Sequence, residues 1–176
     1  MGSEESILVS NQRIVIAEAK EADVEAIASF FWAAWKEAGP EAPGWVGASE
    51  EVLQEITAQD HMLERIGSTD GRMFLAREGD RVVGFAANRR IDDDTVELAG
   101  IIILQSLLGR GIGSRLLEAA VYGARRDGYA EMSVRTEVKN ERAIAFYRAR
   151  GFALGQSVVE EIEGVSVKIL ELVRDL

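Results

Sequence analysis

A glycine-rich turn joins a continuous apolar run to an amphipathic helical pattern near the middle of this chain. The apolar run covers residues 101–104, the turn covers residues 108–113, and the helical pattern begins at Ile112. Such a turn presents free backbone N–H groups, because the first N–H groups of a helix have no intrahelical partner. The helix macrodipole adds partial positive charge at that end. The sequence therefore predicts that the turn binds a phosphate or pyrophosphate group.

The glycine spacing excludes two common nucleotide-binding motifs. A dinucleotide-binding G-x-G-x-x-G sequence would need a glycine at Ser114 or Leu116, and a P-loop would need a Gly-Lys pair that the chain lacks. A shorter cradle of the form R/Q-x-x-G-x-G/A remains, with Leu108 at its first position. The alternative is a tight strand-to-helix turn that holds no ligand.

Composition limits the chemistry and the partners that are available. Cysteine is absent and His61 is the single histidine, so we expect neither a metal site nor a thiol nucleophile. The formal net charge of −10 argues against nucleic acid as a partner and favours a cationic one. No apolar stretch is long enough to span a membrane and no leader is recognised, so we expect a cytoplasmic protein that has no membrane partner.

Hydrophobic periodicity and turn residues predict an α/β fold in one domain, residues 13–176, after an N-terminal extension at 1–12. Strands are predicted at 13–19, 73–77, 81–90, 95–104, 131–136, 153–162 and 165–173. Helices are predicted at 23–36, 50–66, 112–128 and 141–150, with a loop at 39–47 and hairpin turns at 78–80 and 163–164. Together these elements predict a mixed, mostly antiparallel sheet of about seven strands flanked by about four helices.

One predicted strand, at 95–104, has two unusual features. Gly100 interrupts it, which indicates a β-bulge or a close approach of backbone. The continuous apolar run that follows predicts burial on both faces, as in the middle of a sheet.

Two segments resemble the GNAT superfamily of N-acetyltransferases. Residues 103–117 look like its central acyl-CoA motif, and residues 140–152 resemble its second motif, N-x-x-A-I-x-F-Y-x-x-x-G-F. The motif resemblance runs from about 73 to 152 and is weakest at 20–71, where this family varies its acceptor site. Two positions depart from the pattern: Leu108 replaces the usual Arg or Gln, and Gln105 stands where proline is frequent.

The resemblance implies a GNAT-like sheet in which the strands around 101–103 and 133–135 splay to admit acyl-CoA. Backbone N–H groups of the turn would hold the pyrophosphate, and the first strand would pair with the pantetheine amides. Acetyl-CoA would be the acyl-donor substrate, and no metal is implied. The residues implied in its binding are Ile101, Ile103, Leu108, Gly109, Arg110, Gly111, Ile112, Gly113, Ser114, Arg115, Asn140 and Tyr147.

Two residues are candidates for proton transfer. An alkylamine is almost fully protonated at neutral pH, so a base must act before the amine can attack. Glu97 matches the glutamate that several family members use, although a cross-strand ion pair with an arginine, Arg89, Arg90 or Arg135, is the structural alternative. The resemblance also implies that Tyr147 is a general acid facing the thioester sulfur, and the alternative is a core aromatic side chain.

The expected function is N-acetyl transfer from acetyl-CoA to a primary amine of a small molecule or of a protein or peptide, by direct attack in a ternary complex. The alternatives are an acyl-CoA-binding sensor or regulatory domain without turnover and an interaction module without a CoA site. Trp32, Trp35 and Trp45 could line the acceptor pocket, although Trp35 also has the spacing of a core residue. The family resemblance makes a homodimer possible.

Overall fold

The computed structural model describes residues 13–39, 42, 45, 48–162 and 164–176. The strands of this part are β1 Ile14–Glu18, β2 Gly71–Glu78, β3 Arg81–Arg90, β4 Thr95–Ile103, β5 Glu131–Glu137, β6 Ala153–Ile162 and β7 Val165–Asp175. The helices are α1 Val24–Ala38, α2 Glu50–Ile56, α3 Gln59–Gly67, α4 Ile112–Arg126 and α5 Glu141–Arg148, with short 3₁₀ helices at Glu21–Asp23 and Gln105–Leu107.

The seven strands form one sheet in the order β1-β2-β3-β4-β5-β7-β6. Every neighbouring pair is antiparallel except β4 and β5, which are parallel. A parallel pair needs a crossover between its strands, and α4 supplies it. The predicted mixed, mostly antiparallel sheet is confirmed.

The sheet carries helices on both faces. On one face α4 buries Leu116, Leu117 and Ala120, and Leu116 lies against Gly84 of β3. On the other face Phe31 of α1 packs edge to face on Phe85 of β3, with the ring centroids 4.9 Å apart. Gly84 and Phe85 are neighbours on β3, and they face opposite sides of the sheet because side chains alternate along a strand.

The structure has two helices, α2 and α3, where one was predicted at 50–66. The Thr57 hydroxyl donates to the Leu53 carbonyl at 2.6 Å, and Ala58 is extended, with φ −58° and ψ 136°. The Thr57 N–H donates to the same carbonyl at 3.0 Å, and a threonine hydroxyl that shares an acceptor with the backbone in this way often bends a helix. The chain therefore turns before α3 begins. The described residues therefore contain five α-helices instead of about four.

Three predicted features lie outside the described residues. They are the extension at 1–12, most of the loop at 39–47, and Glu163 of the last hairpin turn. None of the described helices combines the length and the apolar sequence that a bilayer span requires.

The packing of α4 on β2 predicts opposite effects for two helical glycines. A Cβ on Gly123 would lie 2.8 Å from Cζ of Phe74, whereas a Cβ on Gly67 in α3 would meet nothing within 4 Å. We expect Gly123→Ala to lower the free energy of unfolding by about 1–3 kcal/mol, because the core is overpacked. Gly67→Ala should leave it unchanged or raise it, since alanine favours helix.

Urea denaturation of both variants measures the difference. Equal stability of Gly123→Ala and Gly67→Ala would show that α4 does not need this close approach to β2.

Candidate active site

The parallel pairing of β4 with β5 stops halfway along the strands. It runs from Thr95 opposite Glu131 to Leu98 opposite Val134, although both strands continue and are described throughout. A bulge lies at the same level, because Ala87 of β3 pairs with Gly100 while Asn88 pairs with Leu98. The strands therefore part after Leu98, at the bulge that Gly100 indicated. From there to Ile103, the edge of β4 that faces β5 has no strand partner.

The opening explains why one burial prediction was wrong. Ile101, Ile102 and Ile103 are only half-buried, whereas the expectation was burial on both faces. Their side chains border the gap between β4 and β5, so part of their apolar surface faces open space. Leu104, just beyond, is fully buried.

The glycine turn exposes a run of free N–H groups at the N-terminus of α4. Gly109 and Gly111 have φ values of 80° and 77°, a conformation that favours glycine. Within the described chain, the N–H groups of residues 109–114 donate to no acceptor, whereas the Leu108 N–H donates to the Gln105 carbonyl at 3.3 Å. We call residues 109–114 the cradle; at the positive end of α4 it can bind an anion.

Three polar side chains of the cradle region already have protein partners. The Arg110 guanidinium lies 3.7 Å from the Glu78 carboxylate, and Arg115 donates to the Ile14 carbonyl at 3.0 Å. Ser114 accepts a hydrogen bond from Arg150 at 2.5 Å. The free donors of the cradle are therefore its backbone N–H groups.

Helix α5 brings the second motif to the cradle. Asn140 caps the helix, with Oδ1 accepting the Ala143 N–H at 3.2 Å. A Cβ on Gly113 would lie 3.1 Å from Ile103 and 3.5 Å from Phe146, so these three residues meet. Ile103 of β4, Gly113 of the turn and Phe146 of α5 thus meet at one end of the opening.

Two residues that sequence analysis did not single out hold this junction together. Arg150 donates to the Phe146 carbonyl at 2.9 Å as well as to Ser114, and its guanidinium lies 3.8 Å from the centroid of the Phe146 ring. Cation–π contact and hydrogen bonds together fix α5 on α4. The signal that could have indicated Phe146 is its position in the second motif.

Tyr147 is 6% exposed and packs between two aromatic rings. The Phe146 and Phe152 centroids lie 5.2 Å and 5.4 Å from its own. Burial raises the pKa of Tyr147 to about 12. The side chain is thus a core aromatic that remains a phenol at neutral pH, so a role as proton donor is compatible with its packing.

Glu97 forms the ion pair that was the structural alternative to its role as a base. It is 6% exposed, and Oε2 lies 2.5 Å from Nη2 of Arg89, its cross-strand neighbour on β3. The other two candidate arginines pair elsewhere, Arg90 with Asp93 and Arg135 with Glu160. Oε1 of Glu97 makes no hydrogen bond with the described residues, so one carboxylate oxygen can still accept a proton.

The face on which Glu97 lies follows from the register. Leu98 pairs with Asn88, whose amide donates to the Ala120 carbonyl of α4 at 2.8 Å. Glu97 therefore points to the opposite face of the sheet, which carries α1. Ser133 pairs with Glu97 across β4 and β5, so Glu137, four residues later on β5, shares that face.

Glu137 is a second buried carboxylate beside the opening, and sequence analysis missed it. It is 5% exposed, and the Lys139 ammonium lies 3.4 Å from Oε2. Its position at the end of a predicted strand was the available signal.

The tryptophans lie where α1 meets the chain leading to α2. Trp32 and Trp35 pack edge to face at 6.0 Å, and the Trp35 indole donates to the Ala48 carbonyl at 3.0 Å. Trp45 packs against the core. Among the described residues, no group of three or more His, Asp or Glu side chains is placed to hold a metal ion.

Comparison with known proteins identifies the family of the sequence. The model of the acetyltransferase (GNAT) family matches residues 24–152. An uncharacterized N-acetyltransferase of Mycobacterium bovis is 33% identical over 88 residues, which are 49% of this chain and 56% of that protein. The chain spans little more than half the length of most curated relatives that it matches, and 24% of a mycothiol acetyltransferase of Jonesia denitrificans.

Solved structures show the same fold. The ribosomal-protein-alanine N-acetyltransferase of Brucella melitensis has a TM-score of 0.75 at 21% identity, over 92% of this chain and 99% of that one. The PaiA N-acetyltransferase of Thermoplasma acidophilum, solved with coenzyme A, has a TM-score of 0.70 at 20% identity, over 93% and 99%. At these identities the likeness shows the fold alone.

Burial of Tyr147 predicts a loss of stability in alkali. A tyrosine in the unfolded chain ionises near pH 10, whereas Tyr147 in the fold stays protonated until about pH 12. Between these values the folded state binds more protons, so the free energy of unfolding falls as pH rises. Urea denaturation across this window should show a smaller fall for Tyr147→Phe than for the wild type.

Tyr122→Phe is the matched control, since Tyr122 is 69% exposed. If Tyr147→Phe and Tyr122→Phe lose stability equally with pH, burial of Tyr147 does not govern its ionisation.

Proposed function

The chain belongs to the GNAT acetyltransferase family, and we propose that it transfers the acetyl group of acetyl-CoA to a primary amine. One arrangement carries this proposal. The unpaired edge of β4 and the free N–H groups of the cradle adjoin each other, at Ile103 and Gly113. A ligand that fits both is long, has amide groups along an extended arm, and carries a pyrophosphate where that arm ends, which describes the pantetheine arm and pyrophosphate of acetyl-CoA.

The proposed binding of acetyl-CoA uses backbone groups more than side chains. The N–H groups from Gly109 to Ser114, which include those of Arg110 and Ile112, bind the pyrophosphate. Leu108 and Arg115 flank them. The backbone of Ile101 and Ile103 pairs with the pantetheine amides as an added strand would. Asn140 contacts the same arm through Nδ2, because its Oδ1 caps α5.

The proposed reaction is direct attack of the acceptor amine on the thioester. Glu97 accepts the amine proton through Oε1 or a water molecule, while Arg89 holds Oε2. The amine nitrogen bonds to the carbonyl carbon, whose oxygen is polarised by backbone N–H near Ile103. The C–S bond then breaks, and Tyr147 donates its proton to the departing sulfur.

A glycine variant tests the binding role of the cradle. Gly111→Ala forces an alanine into positive φ and tilts the N–H groups at the start of α4, so we expect acetyl-CoA affinity to fall by about tenfold or more. Gly164 is the matched control, because it has φ 76° and a Cβ on it would also meet nothing within 4 Å.

Calorimetric titration with acetyl-CoA measures the affinity, and urea denaturation measures the cost of strain. Both variants should lose similar stability, and Gly164→Ala should bind acetyl-CoA normally. Unchanged affinity in Gly111→Ala would remove the cradle from the proposed donor site.

Turnover tests the reaction and the role of Tyr147. We incubate the protein with acetyl-CoA and a panel of amino acids, polyamines, aminoglycosides and peptides, and expect a mass spectrum to show an acetylated product. Tyr147→Phe should reduce kcat by about tenfold or more with little change in acetyl-CoA affinity, because it removes a proton donor. Near-normal turnover would exclude Tyr147 as the acid, and binding without any product would favour a sensor domain.

A further inference from the structure

Arg89 and Arg65 bring two guanidinium groups, but only one of them, Arg89, pairs with the Glu97 carboxylate. Arg65 lies in the last turn of α3, and the short segment after this helix leads to Gly71, which pairs with Arg89 across β2 and β3. Arg65 is thus brought near Arg89, and the charge of Arg89 acts on it. Burial is the larger of two causes that lower the pKa of Arg65, and the charge of Arg89 is the other. The cluster therefore carries excess positive charge in a partly desolvated place.

Arg65 has no anionic partner in the described part of the chain, although it is half-buried. Two other half-buried arginines have carboxylate partners: Arg72 binds Glu18 and Asp127, and Arg77 binds Asp23. Arg150 and Arg174 have no carboxylate partner, but each lies against an aromatic ring, a contact that Arg65 also lacks among the described residues. A charge that is withdrawn from water without a counter-ion is costly. A guanidinium in this state is suited to bind a carboxylate through two parallel hydrogen bonds.

The position of the Arg65 guanidinium indicates which groups an acceptor molecule would carry. Glu97 stands two residues before the bulge at Ala99, where β4 and β5 begin to part. A carboxylate bound by Arg65 would lie beside Arg89, and Arg89 is in direct contact with Glu97. A small molecule with an amine and a carboxylate a few bonds apart would reach both Glu97 and Arg65.

We propose that the acceptor is a free amino acid, whose carboxylate is bound by Arg65 and whose amine is presented to Glu97. The amine half of this inference rests on the proposed acetyl transfer; the carboxylate subsite stands on the unpaired guanidinium. Polyamines and aminoglycosides, which carry amines but no carboxylate, would lack a partner for Arg65. This assignment names the acceptor class that the fold leaves open.

Paired ligands test the subsite. Each amino acid is compared with the amine that lacks only its carboxylate, such as phenylalanine with phenethylamine. Dissociation constants are measured by calorimetry with CoA present, and KM and kcat are measured by acetyl transfer. The wild type should prefer the amino acid by about tenfold or more in both Kd and KM, as a charge-assisted pair of hydrogen bonds would give.

Variants of Arg65 separate the carboxylate subsite from other causes. Arg65→Met should abolish the preference and leave kcat and the KM of the plain amine unchanged, whereas Arg65→Lys should retain part of it. Arg81→Met is the matched control, because Arg81 is exposed at the opposite end of β3. It should keep the full preference.

The two proposals fail in different ways. Acetylation of amines without preference for a carboxylate, or a preference that survives in Arg65→Met, would overturn the subsite and leave acetyl transfer intact. Binding of amino acids that Arg65→Met abolishes, without acetylation of any amine, would support the subsite and contradict acetyl transfer.

Discussion

The parting of β4 and β5 after Leu98 is the constraint on which the candidate site depends. A gap inside a sheet leaves backbone groups without partners, and buried groups of that kind are costly. Here each strand is held by its other neighbour, because β4 stays paired with β3 to Ile103 and β5 stays paired with β7 to Glu137. The bulge at Ala99 absorbs the change of direction. The open edge is thus rigid, and a ligand that supplies strand-like hydrogen bonds gains from it.

The end of α4 converts this gap into a site with two kinds of recognition. The edge of β4 offers alternating donors and acceptors, whereas the cradle offers donors only, at the positive end of a helix dipole. Arg150 fixes the cradle to α5, since it joins Ser114 at the start of α4 to the Phe146 carbonyl in α5. A neutral arm and an anionic end group therefore match different surfaces, and the short contact of Gly113 with Ile103 fixes the distance between them.

Local signals made much of this architecture predictable, and long-range register limited the rest. Periodicity and glycine positions predicted all seven strands, α4, and α5 with its Asn140 cap, because these signals lie within a few residues of the structure that they determine. The partner of Glu97 could not be chosen among three arginines, because the extra residue at Ala99 shifts the pairing of β3 with β4 and sequence does not reveal register. Arg65 is brought near Arg89 by α3, which lies about 30 residues from Glu97 in the sequence, so no sequence spacing indicates it.

The net charge of the protein and the local charge of Arg65 favour groups of opposite sign on the acceptor. The net charge of −10 favours a cationic partner at long range, but salt screens such attraction over about 8 Å at physiological ionic strength. A half-buried guanidinium is screened less, and it acts on groups in direct contact with it. Net charge therefore influences which molecules approach the protein, whereas in the proposed site Arg65 and the Arg89–Glu97 pair would determine which end of an amino acid is held and which end is left to react.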